Sequence, residues 1–225
     1  MENAFNYILF RISGIINNIL YFLREKDTMD DFEKDKLFIQ EVTEGWEQSE
    51  KSDKELFEKA YNFAKEIHRG QYRDEGSPYI THIDGIIDIL ENELNDHNYY
   101  KWAVVALHDV LEDSDVTYEE LKNKFGYIIA KEVDLLTKKQ GYDIEQYIKQ
   151  MEEYEYSATV IKIKLSDRLH NVRSLKNILD SNKDKVDRYI AETEKIYLPL
   201  AQKYSMYIYD KLVSEIRALK GVQND

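Results

Sequence analysis

Apolar residues recur every three or four positions along most of this chain, the period of helices with one buried face. Over 54–67 the repeat is Leu56, Phe57, Ala60, Phe63, Ala64 and Ile67; over 79–94 it is Tyr79, Ile80, Ile83, Ile86, Ile87, Leu90 and Leu94. Ser52 and Glu55 read as a capping box at the start of the first repeat, and Pro78 suits the first turn of the second. The run 102–111 (WAVVALHDVL) is apolar nearly all round except at His108 and Asp109, and predicts a central helix. Thr117 and Glu120 form another capping box, and Gly126 after Phe125 reads as a C-cap. Further helices are predicted over roughly 127–138, 143–156, 158–180, 184–198 and 205–220. The alternation in IKIKL (161–165) continues into Leu169, Val172, Leu175 and Leu179, so it belongs to a helix. The expected fold class is all-α, with roughly nine to eleven helices.

Residues 1–50 read as an N-terminal helical extension, and 51–225 as the main domain. Residues 4–23 are strongly apolar, but Asn6, Arg11, Ser13, Asn17 and Asn18 interrupt them. A spanning helix needs about 20 mostly apolar residues, and a charge near its centre argues against a span. A signal peptide would begin with basic residues, whereas Glu2 is the first charge here. The segment is expected to pack on the main domain or on a second copy of the chain; a helix that binds a protein partner or a membrane surface is the alternative, with the membrane the less favoured of the two.

Charge narrows the ligand. The net charge of −13, from 44 acidic and 31 basic residues, argues against DNA or RNA as partner. It leaves room for a small anion held by a local group of Lys and Arg. The absence of cysteine excludes a disulfide scaffold, a thiolate nucleophile and cysteine-ligated metal, and fits a reducing, cytoplasmic setting.

Three features carry chemistry. His108 and Asp109 break an apolar helix, and Glu112 and Asp113 follow one turn later. Imidazole and carboxylate buried together need partners, and they are ligands for a borderline divalent ion such as Mn²⁺, Fe²⁺ or Zn²⁺. On the 158–180 helix, Lys164, Asp167, Asn171 and Ser174 share one stripe at spacings of three and four, a polar wall in which Asp167 offers a further metal oxygen. Lys162, Lys164, Arg168 and Arg173 are expected to place positive charge near it. The loop from His68 to His82 is polar and glycine-bearing, and Arg73 in it can grip a phosphate bidentately. Taken singly, His68, His82 and His170 read as structural histidines and His97 as solvent-exposed.

His82, His108-Asp109 and Asp167 follow the H…HD…D order of HD-domain phosphohydrolases. The surrounding words, HRGQYRDEGSPYITHI (68–83), ALHDVLEDSDVTYEELKNKFG (106–126), VDLLTK (133–138), IKLSDRLHNVRSLK (163–176) and ETEKIYLPLAQKY (192–204), resemble the hydrolase domain of RelA/SpoT-type proteins from about residue 52 to 210. The resemblance implies an HD-domain helical bundle that removes the 3′-pyrophosphate of guanosine tetra- or pentaphosphate with one Mn²⁺ ion, or another divalent metal in its place. It implies His82, His108, Asp109 and Asp167 as metal ligands, and Glu112 and Asp113 as the catalytic pair of hydrolase-competent members. Arg73, Asn171 and Ser174 are implied as substrate-binding, and Lys164 on the polar stripe is expected to join them by stabilising phosphate charge. Asp74 departs from the pattern, since that place commonly holds Lys; an acid there removes a phosphate contact. Leu135 replaces a frequent Gly. The synthetase and regulatory segments of long members do not follow residue 210, so no synthetase activity is expected.

The chemistry expected is attack of water on the 3′-linked phosphorus, giving GDP or GTP and pyrophosphate. Two rival readings are an HD phosphohydrolase for another nucleotide and an antitoxin-like protein that binds a partner through residues 1–50.

Overall fold

Capping side chains and a few glycines set where the helices stop, and burial sets which face turns inward. The computed structural model describes residues 51–139 and 141–221. The chain divides into two units between Glu55 and Leu56. The extension expected over 1–50 lies outside the described residues.

Helix α1 runs through 51–67 and buries Ala60 and Ala64. Residue 51 is already helical, so Ser52 lies inside the helix and does not cap its start. The polar loop that follows is tied across itself: Arg73 N–H donates to Ser77 O (2.9 Å) and Tyr79 N–H to Gln71 O (3.0 Å). Gly76, at φ +86°, makes the turn between them, a backbone conformation that costs glycine little. Helix α2 (Ile80–Asp88) buries His82, Ile83 and Ile86 and continues as a π-helical turn over Ile89–Glu93.

Asn98 caps α3 (Tyr99–Leu107), its side chain accepting from Lys101 N–H. Every α3 residue from Lys101 to Leu107 is buried, as the all-round apolar pattern requires. The sequence reading joins 102–111 into one helix, but the structure stops it at His108. Asp109 sits at φ −102°, ψ −1°, and a short α4 (Val110–Asp113) follows the break. The same His-Asp pair that breaks the apolar pattern breaks the helix.

Thr117 caps α5 (Tyr118–Phe125), and Gly126 at φ +91° both ends α5 and starts α6 (Tyr127–Leu136). Asp143 and Gln146 close a reciprocal capping box on α7 (Ile144–Glu152). The long α8 (Ser157–Ser174) has no single apolar side. It packs against α2, α3, α6, α7 and the two last helices, α10 (Leu198–Tyr204) and α11 (Met206–Leu219). Between α8 and α10, α9 (Lys183–Glu192) runs on through a π turn, Thr193–Tyr197. Among the described residues no strand forms beyond one isolated bridge, Tyr72 to Pro78, so the all-α expectation holds.

A helix buried on all sides must find partners for its polar residues. The Arg168 guanidinium lies 4.0 Å from the centre of the Tyr189 ring and 3.7 Å from that of Tyr197, and pairs with Glu192. Lys162 reaches Asp96 (3.2 Å), which also holds buried Lys101 (2.6 Å). Arg173 pairs with Glu93 (2.5 Å) and Glu215 (3.2 Å). The expectation that Lys162, Arg168 and Arg173 lend charge to Asp167 is therefore corrected: acids on other elements claim all three.

Glu132 on α6 is 2% exposed and accepts from Tyr100 Oη (3.3 Å). Burial pushes it from an ordinary 4.5 up to about 7. Between those values the folded chain holds a proton the unfolded chain has lost, so stability falls as pH rises through that window. Glu132→Gln, which still offers Tyr100 an acceptor, is expected to remove this slope. At pH 8 the variant should be the more stable by a few kcal/mol, at about 1.4 kcal/mol per tenfold change in the proton equilibrium; urea unfolding at pH 5 and pH 8 measures it.

Candidate metal centre

Four elements bring their chemistry to one point. His82 lies two residues into α2 and faces the core beside Ile83. His108 caps the C-terminus of α3, where its Nδ1 lies 2.7 Å from Val105 O. A carbonyl only accepts, so that nitrogen carries a hydrogen and Nε2 is the one turned to the site. The break at Asp109 swings its carboxylate back to within 2.9 Å of His108 Nε2 and 3.9 Å of His82 Nε2. From α8, Asp167 Oδ1 comes within 3.2 Å of His82 Nε2.

Donor atoms of His82, His108 and Asp109 lie within 4.8 Å of one another, close enough to share a metal ion. His108 Nε2 is fully buried and makes no hydrogen bond, because Asp109 stands near it but out of line. A buried ring nitrogen without a partner is costly unless something else takes it up. Two imidazoles and a carboxylate, with a second carboxylate alongside, suit a borderline divalent ion. The residues fit.

The charges agree. Burial alone would lower His108, but Asp109 against it lifts it to about 9. Burial opposes the ionisation of Asp109, yet His108 keeps it well below the usual carboxylate range. Burial likewise opposes Asp167, and the Lys164 ammonium, 2.8 Å from Oδ2, holds it ionised. His82 is pushed down by burial, a shift Asp167 partly offsets. The ionised carboxylates of the pocket therefore favour positive charge beside them.

The predicted polar wall of α8 is present. Asn171 donates to Asp167 Oδ1 (2.6 Å), and Arg73 Nη2 donates to Asn171 Oδ1 (3.0 Å) and Ser174 Oγ (3.2 Å). Arg73 also pairs with Glu75 (2.9 Å). Lys164 is committed to Asp167. Asp74, next to Arg73, pairs with Lys185 of α9, so the acid found where the family commonly has Lys meets a cation.

Glu112 and Asp113 stand exposed on α4, at the outer side of the cluster. Partial desolvation, then the charge of Asp109, raises both above the ordinary carboxylate value. The Lys138 N–H lies 3.4 Å from Glu112 Oε2, and Gln71 Nε2 donates to the Asp113 carbonyl (3.2 Å).

Reading histidines singly missed two partners. Tyr79 donates its hydroxyl to Asp109 Oδ2 and stacks on His68 at 4.2 Å between ring centres. His170, which the helical spacing assigns to another side of α8, places Nδ1 2.9 Å from His82 Nδ1. The usable signal is the i, i+3 step from Asp167 to His170. His97 is exposed, as expected.

The family model for the HD domain matches residues 60–206. The chain belongs to the HD-domain family. A guanosine-3′,5′-bis(diphosphate) 3′-pyrophosphohydrolase of Aquifex aeolicus is 40% identical over 158 residues, 68% of this chain and 22% of that protein. The bifunctional (p)ppGpp synthase/hydrolase SpoT of Escherichia coli is 35% identical over 156 residues, 66% of this chain and 22% of that one. The HD-domain chain thus spans about a fifth of the length of the curated relatives it matches. A solved structure, described as a metazoan ortholog of SpoT that hydrolyses ppGpp, shares the fold. Its TM-score is 0.62 at 24% identity, covering 75% of this chain and 97% of that one. No described helix is long and apolar enough to cross a membrane.

If His108 Nε2 takes up a divalent ion, the ion displaces the proton that Asp109 favours there. Mn²⁺ uptake between pH 7 and 8.5 is expected to release about one proton, and the apparent affinity to rise about tenfold per pH unit until His108 has titrated. Calorimetry in two buffers of different ionisation enthalpy counts the proton.

Proposed function

We propose that this HD domain hydrolyses the 3′-pyrophosphate of guanosine tetra- or pentaphosphate, giving GDP or GTP and pyrophosphate, with Mn²⁺ as its ion. The observation that carries the reading is the unpartnered Nε2 of His108 among His82, Asp109 and Asp167, with the Arg73–Asn171–Ser174 wall beside it. The activity for which the Aquifex aeolicus relative is named supports this substrate class.

In this reading His82, His108, Asp109 and Asp167 hold the ion. Bound there, a divalent ion supplies Lewis-acid charge and acidifies water. Glu112 and Asp113 handle the protons. Their raised pKa values suit exchange closer to neutrality: one takes a proton from the attacking water as its oxygen bonds to the 3′-linked phosphorus. The bond from phosphorus to the 3′-oxygen breaks, and the other carboxyl group returns a proton to that oxygen. Arg73 exchanges its present acceptors for phosphate oxygens, and Asn171 and Ser174 line the nucleotide. Lys164 keeps Asp167 ionised and adds positive charge beside the phosphates.

The Asp74–Lys185 pair supports a second reading, a different nucleotide substrate, because it rebuilds the rim where Arg73 meets the ligand.

The test incubates Mn²⁺-loaded protein with guanosine tetraphosphate and a panel of other nucleotides, and separates products by chromatography. GDP and pyrophosphate are expected. Glu112→Gln and Asp113→Asn should each lower kcat by about 10²–10⁴. Arg73→Ala should lower kcat/KM by about ten- to hundredfold, the loss of one charge-assisted contact. Turnover confined to another nucleotide favours the second reading, and no turnover with Mn²⁺ bound overturns both.

A further inference from the structure

Gly85 lies in the middle of α2, one turn after His82, with no positive φ to demand glycine. Glycine inside a helix costs about 1 kcal/mol against alanine, so a packing reason is needed. The reason is His170. A Cβ built on Gly85 would stand 2.1 Å from His170 Nε2 and 2.2 Å from its Cδ2. Real side chains do not approach so closely. The ring of His170 therefore lies on bare α2 backbone, and any side chain at 85 expels it.

What the ring does there is visible at its other edge. His170 Nδ1 is 2.9 Å from His82 Nδ1, with the ring centres 4.9 Å apart. Two ring nitrogens at hydrogen-bond distance share a single hydrogen, so one donates and the other accepts. The opposite nitrogen of His82, Nε2, is the one that faces Asp109 and Asp167. To present a lone pair there, His82 must carry its hydrogen on Nδ1, and His170 must accept it. Ligating histidines generally donate their second N–H to a fixed acceptor, which sets tautomer and ring angle. His108 does so to the Val105 carbonyl.

We propose that His170 is the positioning residue of the ion site, holding His82 in the Nδ1–H tautomer, and that Gly85 exists to admit its ring. The inference rests on the reading of His82 as an ion ligand. Asp167 and His170 stand three residues apart on α8, so one helix brings both a carboxylate and the brace for its neighbouring imidazole.

The test measures Mn²⁺ affinity of the full chain from the paramagnetic resonance of free Mn²⁺, with thermal unfolding of the metal-free variants as a folding check. His170→Ala is expected to weaken binding about ten- to hundredfold. His170→Asn, whose side-chain oxygen can take the place of Nδ1 as acceptor, should recover part of that loss. Gly85→Ala should weaken binding comparably, and should add little in the His170→Ala background, since the ring it displaces is gone. With a diamagnetic divalent ion such as Zn²⁺ bound in place of Mn²⁺, nitrogen-15 NMR should show the His82 Nδ1–H tautomer in the wild type and its loss in His170→Ala.

Unchanged affinity in a folded His170→Ala variant overturns the proposal, as does a Gly85→Ala loss that persists in full without His170. Asp109→Asn separates the two levels of the argument. Mn²⁺ binding that ignores this change, or no binding by the wild type, overturns the ligand reading and the positioning role with it.

Discussion

Two carboxylates, Asp167 buried and Asp109 half-buried, are held at the core of a helical bundle, and the surroundings of the site are arranged around keeping them there. Asp109 and Asp167 cannot be buried as charges without donors, since the desolvation cost is far larger than a domain's net stability. The partners come from separate elements: the Tyr79 hydroxyl donates to Asp109 with the His108 ring beside it, and Lys164 and Asn171 donate to Asp167 with the His82 ring beside it. Each brings a helix or loop with it. The position of α2 against α8, the stop in α3 and the folded-back loop before α2 are all tied to those contacts.

Central placement has a cost that α8 makes visible. A helix packed on every side has no solvent face on which to leave charged residues, and α8 carries Lys162, Lys164, Asp167, Arg168 and Arg173. Its neighbours answer with Asp96, Glu192, Glu93 and Glu215. These pairs fix how the surrounding elements meet α8, because removing one partner leaves a charge stranded in low dielectric.

Much of this was legible in the residue pattern. Helical periodicity located the helices to within a few residues, since α1, α2 and α11 each bury one face. The His108-Asp109 pair was legible as a site because it violated an apolar run, although the same violation ended the helix that the run predicted. The stripe of Lys164, Asp167, Asn171 and Ser174 was legible because short polar residues at helical spacing share a face. Which cation answers which acid was not legible. Lys162 and Lys164 are two residues apart, yet one serves Asp96 and the other Asp167. Asp167 is a neighbour on the same helix, whereas Asp96 lies in a loop 66 residues away, and only the folded chain brings it to Lys162. His170 escaped for the same reason: its partner is 88 residues away, and the glycine that makes room for it looks like any other.

Arg73 holds Asn171, and Asn171 holds Asp167, in an unbroken line from the loop to the cluster. An anion that recruits Arg73 competes with Asn171 for the same N–H, and a cation that recruits Asp167 competes for the same carboxylate oxygen. The two occupancies therefore share a coupling free energy. Linkage makes that coupling equal from either end, so the factor by which the anion changes the cation's affinity is the factor by which the cation changes the anion's.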